Sequence, residues 1–412
     1  MKRIIPFIIT ILLPAISFSQ ADSISFEPGY TNQVWYSFAN GEVKSADNTS
    51  WDLAFGIGGF NTNIRINDGF GVELYLYPNG DTAAWNTVDT NGLSTWTPRF
   101  NSDTNWTVTA FAAANINHPD YGWGIYNSIT HNVEGDSIYI IKLTDGSFKK
   151  LKLNLMQGNG EFTFSYANID GSNPISGLIN KPLYTTKKNV YYSLTTDSVM
   201  DLEPAKKDWD VVFMKYNQLQ PQGSYYKVTG VLSNSDRATA EARDVDLSTV
   251  GWYGQDYQAN IGIIGGDWKS FNMNTFTYDI VDSLTYFFVD TNEIVWQLTF
   301  TDFEGSATGV TKFNKTQVGI LSVEDKIDAS RTISMFPNPA VNNVTLTIET
   351  EHAQDNLTIA VYTLTGAIVY TENVTVLGST NVQIPVSSWQ KGMYFVRIGN
   401  DKNAVVKQLI IQ

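Results

Sequence analysis

The sequence predicts an all-β protein with two related β-rich domains in tandem, followed by a small β-sandwich. Aromatic residues make up 13% of the chain, and such a content favours strands over helices. Apolar and polar residues alternate repeatedly, as they do in half-buried strands. No segment between Gln20 and Leu321 keeps a helical period over several turns. Helices are therefore expected only as short connections.

The first residues have the pattern of an export signal. Two basic residues precede an apolar run from Ile4 to Ile16, and small residues follow at Ser17 and Ser19. A charged start, a short apolar middle and a small-residue exit are typical of a cleavable signal peptide. The run is too short and too interrupted by proline to span a bilayer. We therefore expect residues 1–19 to be removed during export.

Composition excludes several kinds of chemistry. The net charge is −14, whereas nucleic acids and anionic membrane surfaces are bound through basic patches. The chain contains no cysteine, which excludes disulfides, thiolate metal sites and cysteine nucleophiles. Its three histidines lack the spacing of a zinc site. We expect no enzyme activity, no metal site, no nucleic-acid partner and no integral membrane segment.

A hairpin is the clearest local element. Residues 137–144 and 148–155 alternate apolar and polar side chains, with Asp145 and Gly146 between them. Asp-Gly suits a tight hairpin because both central residues of the turn take positive φ. Residues 162–166 continue the alternation and predict a third strand.

Four landmarks occur twice in the same order, which indicates an internal repeat. The matched pairs are 34–37 (Val-Trp-Tyr-Ser) with 190–193 (Val-Tyr-Tyr-Ser), 51–55 (Trp-Asp-Leu-Ala-Phe) with 209–213 (Trp-Asp-Val-Val-Phe), 122–127 with 267–272, and 136–141 with 282–288. We therefore predict two copies of one β-domain, at residues 20–177 and 182–319. In each Trp-Asp pair we expect the Trp in the core and the Asp facing outward or capping a turn.

The chain changes character after Gly319. Residues 320–331 are charged and lack a strand pattern, as expected for a linker. Residues 332–412 contain short strand-like runs at regular spacing, which predicts a small immunoglobulin-like sandwich.

This last segment also carries a series of sequence marks. They are Pro337, Asn338, Pro339, Gly366, Gly392, Tyr394 and Lys407. In their order and spacing they resemble the type A C-terminal sorting domain of type IX secretion substrates. The resemblance implies recognition by an outer-membrane translocon, removal by its sorting peptidase, and a Bacteroidota-type source. It also implies passage through the periplasm to the outer surface or the medium. The open alternative is a fused adhesive immunoglobulin-like module.

Further marks lie in the repeated domain. They are the blocks at 51–55 and 209–213, each followed by a long variable stretch, and the aromatic hairpin at 137–155. Through these marks the domain resembles the HmuY-like family of bacterial haem-binding proteins. The second copy departs from the pattern, with Thr-Asn-Glu at 291–293 in place of Asp-Gly. The resemblance implies haem held between two axial His or Met ligands.

The candidate haem ligands are His118, paired with either His131 or Met156. His118 precedes Pro119 in a predicted loop, where a ligand could lie. His131 aligns with Phe276 of the second copy, and a position that takes both residue types is typical of packing or surface. The second copy contains no histidine.

We expect a non-catalytic ligand-binding protein, secreted or held at the outer cell surface, with haem as the candidate ligand. The alternative is an adhesive or structural surface protein that binds glycan or protein through exposed aromatic residues. The candidate aromatic residues are Trp85, Trp96, Trp106 and Trp252.

Overall fold

The computed structural model describes residues 19–112, 118–234, 237–320, 331–350, 354–363, 367–376, 379–399 and 404–412. Residues 1–18 of the predicted signal peptide, most of the predicted linker and Gly366 lie outside these ranges. The chain divides into two compact units, Met1–Val318 and Gly319–Gln412. In the described residues every helix is a short 3-10 turn and strands dominate, so the predicted all-β class is confirmed.

The first unit contains strands β1 to β22 and seven described 3-10 turns. Strands β1 to β11 are Gln20–Ser25, Asn32–Ser37, Gly41–Asp47, Leu53–Gly56, Ile64–Ile66, Glu73–Leu76, Gly124–Asn127, Asn132–Gly135, Tyr139–Lys142, Phe148–Met156 and Glu161–Asn168. Strands β12 to β22 are Ile175–Asn180, Asn189–Ser193, Ser198–Met200, Val211–Leu219, Tyr225–Ser233, Thr239–Arg243, Lys269–Asn272, Thr277–Ile280, Leu284–Val289, Ile294–Phe303 and Val310–Ile320. The 3-10 turns are Pro28–Tyr30, Asp68–Phe70, Thr82–Thr87, Leu93–Thr95, Ala110–Ala112, Lys181–Tyr184 and Gly305–Ala307.

These strands form antiparallel sheets, and the strand orders in the two halves of the unit correspond to each other. One sheet runs β1-β22-β21-β20-β17, and its counterpart runs β12-β11-β10, with β10 also pairing β8 and β9. A second pair of sheets runs β16-β15-β2-β3 and β14-β13-β4-β5. The hairpins β7-β8 and β18-β19 occupy matching places in the two halves.

The first strands of each predicted copy pair with the other copy. β2 pairs with β15 so that Val34 lies opposite Phe213, and β13 pairs with β4 so that the matching Val190 lies opposite Phe55. β1 pairs with β22 in the same way that β12 pairs with β11. The landmarks of the predicted repeat are therefore hydrogen-bonded to each other in equivalent register.

This exchange corrects the predicted domain boundaries. Residues 20–177 and 182–319 do not form two separate bodies, because the N-terminal strands complete the sheets of the second half. One group of strands is β4 to β14, and the other joins β1 to β3 with β15 to β22. A domain boundary at 177–182 would cut through the pairing of β12 with β11.

Each group of strands has its own hydrophobic core. Trp123 is 1% exposed in the core of the first group, and the matching Trp268 is 1% exposed in the core of the second. A third, tryptophan-rich core lies where the groups meet. Its largest members are Trp35, Trp51, Tyr191, Trp209 and Tyr216.

The two Trp-Asp landmarks make the same contacts. Asp52 accepts a 2.7 Å hydrogen bond from the backbone N–H of Leu194, and Asp210 accepts a 2.8 Å bond from that of Phe38. Both aspartates are buried, and both tryptophans are in the core. The sequence left open whether each aspartate faces outward or caps a turn. The structure shows the second, because each carboxylate accepts a hydrogen bond from a backbone N–H group.

The second unit is a small two-layer sandwich. Its strands β23 to β29 are Arg331–Phe336, Asn343–Thr350, Gln354–Thr363, Ile368–Val376, Ser379–Pro385, Gly392–Gly399 and Ala404–Ile411. One sheet runs β23-β24-β27 and the other β26-β25-β28-β29. Alternating inward residues such as Leu346 and Ile348, or Val396 and Ile398, form its core.

Candidate ligand-binding site

The two predicted histidine ligands lie in one exposed cluster. The ring of Tyr126 contacts both imidazoles, with centroid distances of 5.1 Å to His118 and 6.2 Å to His131. Its hydroxyl is hydrogen-bonded to Nδ1 of His131 at 2.7 Å. Haem requires an apolar slot with one ligand on each side of the iron. The structure instead packs a tyrosine ring against both candidate ligands.

Met156 lies in the core against which Tyr126 packs. Its side chain is 1% exposed, packed in the core of the first group. A buried methionine on a strand is ordinary core packing. The role of Met156 as a haem ligand stays a prediction, and its burial agrees better with a packing role.

His131 and its predicted equivalent Phe276 occupy the same kind of turn. Both have φ of 58°, and their backbone N–H groups donate to Asn127 and Asn272 at 2.8 and 2.9 Å. Both side chains are exposed, so this is a surface position, one of the two interpretations the alignment left open.

The four tryptophans predicted as exposed binding residues, Trp85, Trp96, Trp106 and Trp252, are all half-buried. Trp106, for example, donates from its indole nitrogen to the carbonyl of Ser233 at 2.8 Å and lies 4.8 Å below the guanidinium of Arg65. Such fixed contacts are typical of packing, and none of the four tryptophans is fully exposed.

The tryptophan-rich core encloses a cavity that is too small for a ligand. Its volume is about 20 Å³, enough for about one water molecule. Glu203 lines it, and burial raises the pKa of this carboxyl to about 7. Neither a porphyrin nor a sugar ring fits this space.

A far larger groove opens at the surface of the same unit. Its volume is about 550 Å³, within the range of small-molecule binding sites. One wall is the segment 68–75, and the other is the start of β16 beside Asn217 of β15. The groove therefore lies between the two groups of strands.

A glycine brings the first wall close to β15. The backbone of Gly69 packs so tightly that an added Cβ would lie 2.1 Å from the carbonyl oxygen of Lys215. No larger residue fits such an approach without moving one of the chains. Gly71 follows with φ of 94° and ends the 3-10 turn.

Aromatic side chains form one face of the groove. Phe100 stacks on Tyr225 with ring centroids 4.0 Å apart and planes inclined by 19°. Tyr225 keeps 37% of its surface exposed. Tyr75, also in the lining, donates its hydroxyl proton to Glu73 at 2.6 Å. The result is a fixed aromatic platform that is open to solvent.

Carboxyl and amide groups lie beside this platform. Asp68 accepts hydrogen bonds from the backbone and side-chain amides of Asn101 at 3.2 and 3.0 Å. Burial raises the pKa of Asp68 to about 6, against the opposing charge of Arg65. The amide of Asn217 donates to the carbonyl of Asp68 at 3.3 Å. Groups held this firmly can orient a polar ligand.

Sequence reasoning missed this groove because its parts are distant in the chain. Tyr225 and Tyr226 follow a turn at 220–224, and two tyrosines at the start of a strand after a turn are a signal of exposed aromatic surface. The stacking of Tyr225 on Phe100 depends on the strand exchange and has no local signature.

The predicted sorting marks lie in the second unit. Asn338 donates to the carbonyl of Gln408 at 2.8 Å and accepts from the backbone of Ile410 at 2.9 Å. This ties the segment with Pro337 and Pro339 to the last strand. Gly392 begins β28, Tyr394 donates to Gln390 at 2.8 Å, and Lys407 lies on β29. Gly366 is outside the described residues.

Comparisons with solved structures show only faint likeness. Latent dimeric PorU from Porphyromonas gingivalis is 10% identical with a TM-score of 0.18, over 82% of this chain and 34% of that one. A polysaccharide lyase is 9% identical with a TM-score of 0.19, over 89% and 40%. The BSP domain of a biofilm-associated protein is 10% identical with a TM-score of 0.18, over 89% and 82%. The chain thus spans less than half the length of the PorU and polysaccharide lyase chains. TM-scores this low support no shared fold.

A search of curated proteins found no significant match. Among the described residues, no helix is long and apolar enough to cross a membrane. Residues 334–412 match the family model of the secretion system C-terminal sorting domain. Such a domain implies export by the type IX system to the outer surface or the medium. It also implies contact with the secretion machinery and a PorU-like sorting peptidase. The predicted sorting domain is therefore confirmed, and this segment belongs to that family.

Proposed function

We propose that this exported protein is a non-catalytic binding protein whose groove takes a glycan. The observation that carries the proposal is the stacked pair of Phe100 and Tyr225, open to solvent beside buried carboxyl and amide groups. Sugar rings present flat C–H faces that pack on aromatic rings, and their hydroxyls bond to carboxylates and amides. An aromatic platform with polar groups at its edge can therefore pack against the C–H face of a sugar and bind its hydroxyls.

Haem capture and the HmuY-like resemblance stay predictions. The family match covers only residues 334–412, and the space beside the two histidines holds the ring of Tyr126. The large groove contains no histidine or methionine in its lining. A glycan therefore agrees better with the geometry than a porphyrin does.

The test is a binding screen of the full chain against neutral and charged polysaccharides, followed by calorimetry on the best ligand. Tyr225→Ala should lower the affinity about fivefold, because stacking on one aromatic ring contributes about 1 kcal/mol. Tyr253→Ala is the matched control, since Tyr253 is 61% exposed and lies outside the groove lining. Thermal melts would show that both variants fold.

Two results would contradict the proposal. One is the absence of glycan binding across the screen. The other is a glycan whose affinity is unchanged in Tyr225→Ala while Tyr253→Ala or a histidine variant reduces it.

A further inference from the structure

The groove also contains a free positive charge. Lys227 lies exposed on β16 in the groove lining. In the described part of the chain its ammonium makes no hydrogen bond or ion pair. From this charge we infer that the glycan is anionic, with a carboxylate or sulfate group held by Lys227; the inference rests on the proposed glycan-binding function.

The acidic residues of the groove are already matched by other cations. Glu73 forms a 2.9 Å ion pair with Lys142. Asp68 is opposed by the buried guanidinium of Arg65. Lys227 lies near enough to Glu73 to help lower the pKa of that carboxyl, yet donates no hydrogen bond to it. Glu73 thus has an ion-pair partner other than Lys227, and the charge of Asp68 is opposed by Arg65.

A second lysine reinforces the positive charge. Lys215 lies on β15 with its ammonium 4.9 Å from the ring centroid of Phe70, and it too forms no ion pair in the described residues. Burial lowers the pKa of Lys215, and the charge of Lys227 lowers it further. Acidic residues outnumber basic ones by 41 to 27 in this chain. The two ammonium groups are close enough for their charges to interact, and paired positive charge of this kind is complementary to an anion.

Strand geometry places this charge beside the aromatic platform. Tyr225 and Lys227 are two residues apart on β16, so their side chains leave the same face of the sheet about 7 Å apart. Asn217 lies directly opposite Lys227 on β15 and shares that face. A sugar ring stacked on Tyr225 would therefore hold a charged substituent within reach of Lys227.

The experiment compares three oligosaccharides on one β-1,4-glucan backbone: neutral, oxidised at C6 to the uronate, and sulfated at C6. Calorimetry with the full chain at low salt should give tighter binding of one or both anionic forms than of the neutral form. Lys227→Gln should weaken the anionic ligand about fivefold, the worth of an exposed ion pair, and leave the neutral ligand unchanged. Lys206→Gln is the charge-matched control, since Lys206 is exposed and outside the lining.

The possible outcomes distinguish a failure of the anion preference from a failure of the glycan-binding function. Tighter binding of an anionic form that disappears in Lys227→Gln supports the inference, and the two anionic forms tell carboxylate from sulfate. Equal affinity for neutral and anionic forms, unchanged in Lys227→Gln, overturns the anion preference and keeps the glycan site. No binding of any form, together with a negative screen, overturns the glycan function itself.

Discussion

The backbone N–H of Phe38 donates a 2.8 Å hydrogen bond to Asp210, 172 positions later in the chain. The bond fastens the first strands to the second half of the unit. Leu194 and Asp52 repeat it on the other side at 2.7 Å. The two aspartates therefore hold the exchanged strands in place.

Asp52→Ala and Asp210→Ala should each lower the free energy of unfolding by about 2–3 kcal/mol, because each leaves buried backbone N–H groups without a charged acceptor. Urea denaturation of the single variants measures the loss. Asp256→Ala, at an exposed position, should change stability by less than about 0.5 kcal/mol. Equal, small effects for all three would show that the aspartates do not fasten the exchange.

The repeat could be found from the sequence because its landmarks are locally conspicuous. The matching blocks at 51–55 and 209–213 occupy equivalent strands. The sequence could not show which copy a strand pairs with, since the same register is available within and between copies. The pairings of β2 with β15 and of β13 with β4 show that these strands pair between the copies and not within one copy.

The orientation of Met156 could not be predicted from the sequence either. A strict alternation that buries Leu151 and Leu153 would bury Leu155 and turn Met156 outward. The register of β10 shifts between Leu153 and Leu155, so Met156 faces the core instead. The groove could not be predicted because Phe100 and Tyr225 come from distant segments.

Glu203 should make stability fall as the pH rises toward neutrality. Burial raises the folded-state pKa of this carboxyl to about 7 from its ordinary 4.5. The folded protein therefore binds more protons than the unfolded chain between these values, and its free energy of unfolding decreases over that window. Melting temperatures of the wild type should drop between pH 5 and pH 7.

The variant Glu203→Gln should show a shallower fall, whatever its absolute stability. Glu42→Gln removes an exposed carboxyl and should keep the wild-type slope. A wild-type profile that is flat or rising between pH 5 and pH 7 would contradict the raised pKa.

Gly69→Ala should disturb both stability and binding. Its Cβ would lie 2.1 Å from the carbonyl oxygen of Lys215, and relieving such an overlap costs about 1–3 kcal/mol. The wall of the groove would move with it, so glycan affinity should fall too. Gly251→Ala is the control, because nothing lies within 4 Å of its added Cβ. Equal stability of the two variants would show that the approach to β15 is loose.

Haemin should give no saturable Soret shift at one equivalent with the full chain. The reason is that the ring of Tyr126 contacts both His118 and His131, whereas haem needs an open apolar slot between its two ligands. Absorbance titration of the wild type and of His118→Ala checks this. A one-equivalent shift that His118→Ala abolishes would instead support haem capture.

The most direct test of the central claim is hydrogen–deuterium exchange with and without the tightest glycan of the screen. Binding in the groove predicts slower exchange at 68–75 and 217–227, with little change around His118 and His131. Protection confined to the histidine cluster, or no protection in the groove at saturating glycan, would contradict a glycan site between these two segments.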